Sequence, residues 1–195
     1  MTHAIRPDRV ATLPPRERIL DAAEELFERE GIKNVTVQAI AERASTTKMA
    51  VYRHFDTKDA LVVEWLRIRA ATYRAAFDAH EAAHPDDPRA QITGIARWVA
   101  DRLGAASHRG CVFVNSIAEL PDPQHPARRL IAEHKRAQAR RLVELCTRAG
   151  VPDPEQVAAE LTFLLEGAEV TAQNGSIEEV GDRLVRMVGA LLQRS

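Results

Sequence analysis

Only two cysteines occur in these 195 residues, Cys111 and Cys146, and there is no C-x-x-C. So few thiols argue against a disulfide scaffold and for a reducing, cytoplasmic setting. No run of about 18 apolar residues is present to span a bilayer, and the first residues, MTHAIRPDRVATLPPRER, lack the apolar core of a secretory signal. Net charge is missing too: 27 basic against 28 acidic residues leave −1, so the chain as a whole has no bias towards nucleic acid or membrane, although a local basic patch could hide in that balance. Strand signal is absent. The one stretch rich in β-branched residues, NVTVQAIAERA, spaces Val37, Ile40, Ala41 and Ala44 at i, i+3, i+4, i+7, which is a helical stripe. Nucleophile-elbow, phosphate-cradling and dinucleotide-binding glycine patterns are also lacking, and no cofactor is expected.

What is present is helix. Apolar residues make up 45% of the chain, enough for a packed core, and alanine, leucine, arginine and glutamate dominate it. The spacing predicts about nine helices in an all-α fold. The first follows LPP and ends at Gly31, with Ile19, Ala23, Leu26 and Phe27 as its stripe. Two short ones follow, near 36–44 and 47–55, and a long fourth is capped by Thr57 and halted by Pro85. A fifth begins at Pro88 and reaches about residue 106; CVFVNSIAEL forms the sixth; the seventh runs from about 127 to 149. Asp153-Pro154-Glu155-Gln156 is a helix start with an aspartate cap and a proline at the first position, and the ninth helix occupies about 177–193. The expected division is an N-terminal flexible arm at 1–14, a small helical module at 15–60 and a larger helical body at 61–195.

The segment 33–58 holds Lys33, Arg43, Lys48, Arg53 and Lys58 against Glu42 and Asp56, a local +3 in a chain of net −1. Two short helices joined by a tight turn make a helix-turn-helix, whose second helix enters a major groove. Val51 and Phe55, four apart, can anchor that helix, while Lys48 and Tyr52 lie on the opposite side. Hydroxyl caps at Thr36 and Thr47 leave helix-start N–H groups for phosphate oxygens, to which His54, Lys58 and the Tyr52 hydroxyl can add contacts.

Thr36-x-x-x-Ile40-Ala41-x-x-Ala44 followed by Tyr52-x-His54-Phe55-x-x-Lys58-x-x-Leu61, together with RILDAAEELFEREG, resembles the DNA-binding module of the TetR family of transcriptional regulators over about residues 15–62. The resemblance implies that Lys48, Met49 and Arg53 face bases and that Thr36, Thr47, Tyr52, His54 and Lys58 hold phosphates. It implies a repressor, homodimeric on a near-palindromic double-stranded operator and released by a small-molecule inducer. Where that family commonly has Gly-Val-Ser-x-Gly-Thr-Leu, this chain has Ser45 to Val51, losing both glycines and their backbone tolerance in the turn.

For the body the same resemblance implies a ligand-binding and dimerisation domain. Leu161, Leu164, Leu165 and Ala168 on one helix, and Leu184, Val188 and Leu191 on the next, can form a four-helix bundle with a second copy, or serve as intrachain core. Trp65, Tyr73, Trp98, Phe113, Asn115, Glu119 and Phe163 are the candidate lining of a ligand cavity. Cys111, opening the sixth helix beside His108 and Arg109, has reasons for a lowered thiol pKa and is a candidate thiol sensor, against the reading of a small buried filler. One motif points elsewhere. His80-Glu81-Ala82-Ala83-His84 is a literal H-E-x-x-H, the alternative being a zinc hydrolase; Pro85 directly after His84 and the lack of a marked third ligand argue against it.

Overall fold

A computed structural model describes residues 13–103 and 110–193; the N-terminal arm expected at 1–14 therefore lies almost wholly outside the described residues, as do His108 and Arg109. Among the described residues there are nine helices and no strand: α1 (Pro15–Glu30), α2 (Val37–Arg43), α3 (Lys48–His54), α4 (Lys58–Ala83), α5 (Pro88–Leu103), α6 (Val112–Glu119), α7 (Pro126–Arg148), α8 (Pro154–Asn174) and α9 (Val180–Leu192).

Local chemistry sets the boundaries. Thr36, Thr47 and Thr57 each accept a hydrogen bond from the backbone N–H three residues on, at 3.1, 3.1 and 3.0 Å, so α2, α3 and α4 all begin on a threonine cap. Gly31 closes α1 with φ 83°, its N–H reaching the Phe27 carbonyl at 3.0 Å. Asp153 accepts from Gln156 N–H at 3.2 Å and Pro154 takes the first position of α8. α9 begins at Val180 rather than 177, because Glu179 adopts a left-handed φ of 53° that interrupts the helical run.

Two cores result. The first joins Ile19, Ala23 and Phe27 of α1 to Ile40, Val51 and Phe55 around the short helices, then to Leu61, Trp65 and Leu66 of α4, Phe113 of α6 and Ile131 of α7. The second packs upper α4, α5, α7, α8 and α9 around Phe77, Ile95, Leu145, Leu161 and Val188, with Trp98 touching both. A boundary after residue 60 falls inside α4, so a rigid 26-residue helix, roughly 39 Å long, runs from the small module into the body.

Candidate nucleic-acid interface and ligand cavity

In α3 the apolar side chains other than Met49 turn inward and the rest turn out. Val51 and the following Phe55 are buried against α1 and α2, whereas Lys48, Met49, Tyr52, Arg53 and His54 are exposed. Met49 is 73% exposed, an unusual cost for a large apolar side chain on a seven-residue helix. The Lys48 ammonium lies 6.0 Å from the centre of the Tyr52 ring, so both sit on one ridge. All three base-facing candidates thus share the outward surface.

The phosphate candidates divide. Thr36 and Thr47 are exposed and use a lone pair for capping, which leaves their hydroxyl hydrogens to donate outward. Tyr52 and His54 are exposed beside them. Lys58 is half-buried and its ammonium donates to the Ile32 carbonyl; burial holds its pKa below the usual lysine value. One of its three N–H donors is therefore committed to the turn between α1 and α2. Arg43, counted in the local +3, pairs with Glu25 of α1 and serves as a brace.

The turn between α2 and α3 closes as a Schellman motif: Thr46 N–H reaches the Ala41 carbonyl at 2.9 Å and Ser45 N–H the Glu42 carbonyl at 3.1 Å. The residue in the left-handed position is Ser45, with φ 51°. The turn forms without glycine and carries strain for it.

Beneath the module lies a cavity of about 520 Å³, bounded by α1, α4, α6, α8 and the end of α5. Of the sequence candidates, Trp65, Tyr73, Asn115 and Glu119 line it. Phe113 and Trp98 pack on Tyr73 instead, ring centres 5.6 and 5.0 Å away, and stiffen its wall. Phe163 corrects the expectation: it is 74% exposed on α8, because that helix turns Leu161 and Ala168 inward and Phe163 falls on the opposite face. Residues not anticipated include Arg69, Arg102, Gln173 and Glu169. Glu169 is a buried carboxylate accepting from the Tyr73 hydroxyl at 2.8 Å, which, after burial itself, is what lifts the phenol far above its ordinary pKa. A glutamate inside the apolar run LLEGAEV was the available signal. The Trp65 indole N–H is buried and meets no acceptor among the described residues.

The cavity touches the module directly. Gly31 and Ile32 form part of its wall, and Glu119, which also lines it, accepts the Lys33 backbone N–H at 2.8 Å. The positive φ calls for glycine at 31, and a Cβ there would come within 2.9 Å of the Glu119 carboxylate and displace it.

Cys111 is a second correction. It precedes α6, but it is buried; burial first, then the neighbouring Glu169, pushes its thiol up to about 11, and Lys135, whose Nζ lies 3.8 Å from Sγ, only partly opposes this. The expected lowered pKa is not found, since depth outweighs the helix start. A third concerns the pairing residues. Leu161, Ala168, Leu184, Val188 and Leu191 are buried in the subunit's own second core, with Leu164 and Leu165 packed at its edge. The outward face of α8 and α9 carries Phe163, Val170 at 44% and Met187 at 53% exposure, with Gly167 open to solvent between them.

The H-E-x-x-H residues do not converge. His84 is the residue after α4, pushed out of helical geometry before Pro85, and Glu81 is held by Arg141 and Arg148. Among the described residues no three His, Cys, Asp or Glu side chains gather as metal ligands. No helix among them is long and apolar enough to cross a membrane.

Comparison with known proteins agrees with this geometry. Residues 19–65 match the family described as bacterial regulatory proteins, tetR family. The HTH-type transcriptional regulator YjdC of Escherichia coli (strain K12) is 29% identical over 154 residues, covering 78% of this chain and 80% of YjdC. SCO4454, a TetR-family transcriptional regulator from Streptomyces coelicolor, superposes with a TM-score of 0.87 at 30% identity, over 92% of this chain and 94% of that one. The reduced form of Escherichia coli NemR, at 20% identity, has the same fold with a TM-score of 0.77 over 91% of this chain and 97% of its own.

Proposed function

We propose that this chain, which belongs to the TetR family of helix-turn-helix transcriptional regulators, works as a homodimeric repressor that leaves its operator when a small molecule fills the cavity under α1 and α4. The observation that carries the reading is α3 itself: a short rod fixed by Val51 and Phe55, with Lys48, Met49 and Arg53 turned outward. Lysine and arginine there suit guanine edges, and Met49 suits a thymine methyl. Thr36, Thr47, Tyr52, His54 and Lys58 flank the rod and serve the phosphates, with Lys58 exchanging its Ile32 carbonyl for an oxygen of the backbone. Residues 15–60 read DNA; residues 61–195 sense and pair, and the protein acts in the cytoplasm.

A single short helix reads too few bases for a specific site, so a second copy is needed one duplex turn away, about 34 Å. The face of Phe163, Gly167, Val170 and Met187 is where that copy docks, glycine allowing the helices to approach closely. Release follows from the shared wall. A ligand that takes the Glu119 carboxylate as its own partner loosens the Lys33 contact and moves the root of α2, and it shifts affinity only as far as it prefers that arrangement.

Selection from a random duplex pool by the purified protein tests the reading. Enrichment of an inverted repeat, bound by two subunits and no longer bound after Phe163→Glu, is the expected result. A pool that stays unenriched, or a site bound by one subunit, would end it.

A further inference from the structure

A second concave site adjoins the cavity just described, sharing Tyr73 with it, on the flank of the body. α4 and α7 run side by side in the same direction, His125 approaching Asp59 at 3.4 Å near their starts and Arg141 holding Asp78 at 2.6 Å further along. Between them is a groove of about 790 Å³. Its floor is apolar, from Val63, Ala70 and Phe77 on α4 and Leu130 and Ala137 on α7.

Its rim is cationic. Of the five arginines in the lining, Arg67 is held by Glu64, and Arg141 by Asp78 and Glu81. Arg74, Arg129 and Arg140 make no ion pair or side-chain hydrogen bond among the described residues, and Glu133 is the one carboxylate in the described lining; three minus one leaves +2. The chain as a whole is at −1, so this charge is local. His134 reports the same field. Its ring packs on Phe113 at 4.4 Å, its Nε2 is buried with no partner among the described residues, and burial, then Lys135 and Arg74, push its pKa down to about 4.

Neither half of the groove is satisfied by a simple ion or a simple hydrocarbon. A free inorganic anion would leave the floor wet, and a neutral hydrocarbon would leave the guanidiniums unmatched. The two contacts between the helices put Arg74 level with the 137–140 turn of α7. Arg129 lies eleven residues before Arg140, roughly 16 Å along the axis at 1.5 Å per residue.

We propose that the α4–α7 groove binds an amphipathic organic anion, its carboxylate between Arg74 and Arg140 and its unbranched apolar body lying on Ala70, Ala137, Leu130 and Val63 towards Arg129. This makes a second effector site, which meets the cavity walled by Glu119 at Tyr73, a residue that lines both. It does not depend on what the first cavity takes.

Calorimetric titration of the full chain with decanoate, below its micellar range, tests the site. One decanoate per subunit is expected, with Arg74→Ala and Arg140→Ala each weakening it by about tenfold, as loss of one charge-assisted contact implies. Arg74→Lys should retain part of the affinity, decyltrimethylammonium should not bind, and Arg102→Ala, in the other cavity, should change nothing. The proposal is overturned if decanoate does not bind, if the cationic analogue binds equally well, or if affinity falls with Arg102→Ala and not with Arg74→Ala. Binding of an acidic peptide in place of decanoate would also overturn it, in favour of a protein partner.

Discussion

Helices α1 and α3 both carry charge on their outer faces and use it in opposite ways. On α1, Arg16 holds Glu64 at 2.8 Å, Glu24 and Glu28 hold Arg69 at 2.7 and 3.4 Å, and Glu25 holds Arg29 at 3.0 Å as well as Arg43. Each pair is worth little, about 0–1 kcal/mol at such exposure; together they fix how α1 lies on α2 and α4. On α3, Lys48, Arg53 and His54 make no ion pair among the described residues, and Met49 stands in water. Charges already matched hold the module together; those left unmatched, beside an exposed methionine, are the ones that meet DNA under the proposed function.

That contrast can be broken from either side. The largest effect should come from α1: Phe27→Ala removes a buried ring lying 5.2 Å from Trp65 and should cost about 3–5 kcal/mol, seen as a lowered melting temperature together with loss of all DNA binding. Lys48→Ala should leave melting unchanged and cost about 1–3 kcal/mol at one base position only, measured by anisotropy on duplexes differing at that position. Equal weakening on every sequence would make Lys48 a phosphate contact. Ser45→Gly should raise stability by up to about 1 kcal/mol, because glycine carries no penalty at φ 51°; denaturant unfolding reads it, and a destabilised variant would mean that the serine side chain has a role of its own.

The smallest effect concerns pH. His134 has its folded pKa depressed to about 4 from 6.5, chiefly by burial. Its contribution to stability is therefore complete above about pH 6.5 and is lost as the pH falls towards 4, where the unfolded chain binds the proton more readily. Unfolding free energy followed across that window should fall less steeply in His134→Gln than in the parent, and identical slopes would mean that another group governs the acid limb.

The same contrast explains what the sequence made legible. Caps, helix stripes and the Val51–Phe55 anchor depend on neighbours within one or two turns, and these stand where the spacing puts them. Tertiary facts did not follow. α8 is apolar on two faces, so periodicity could not say whether Leu161 or Phe163 turns towards its own subunit; the smaller, more continuous face went inward and the phenylalanine outward. The sequence shows Cys111 only at a helix start, whereas its pKa is set by depth and by Glu169 arriving from α8. Arg43 counts as positive in a tally of residues yet is matched by Glu25, eighteen positions away. Glu169 is not legible as cavity wall beside Glu166 in LLEGAEV, because a helical glutamate ordinarily faces solvent; its place depends on the Tyr73 hydroxyl that meets it.

The most direct measurement pairs two readings on one variant. Lys48→Ala combined with Arg53→Ala alters exposed side chains that make no ion pair among the described residues, so thermal unfolding should match the parent while anisotropy on the selected duplex shows specific binding gone. A double variant that melts as the parent does and still binds that duplex with undiminished affinity would contradict the claim that the unmatched face of α3 reads DNA.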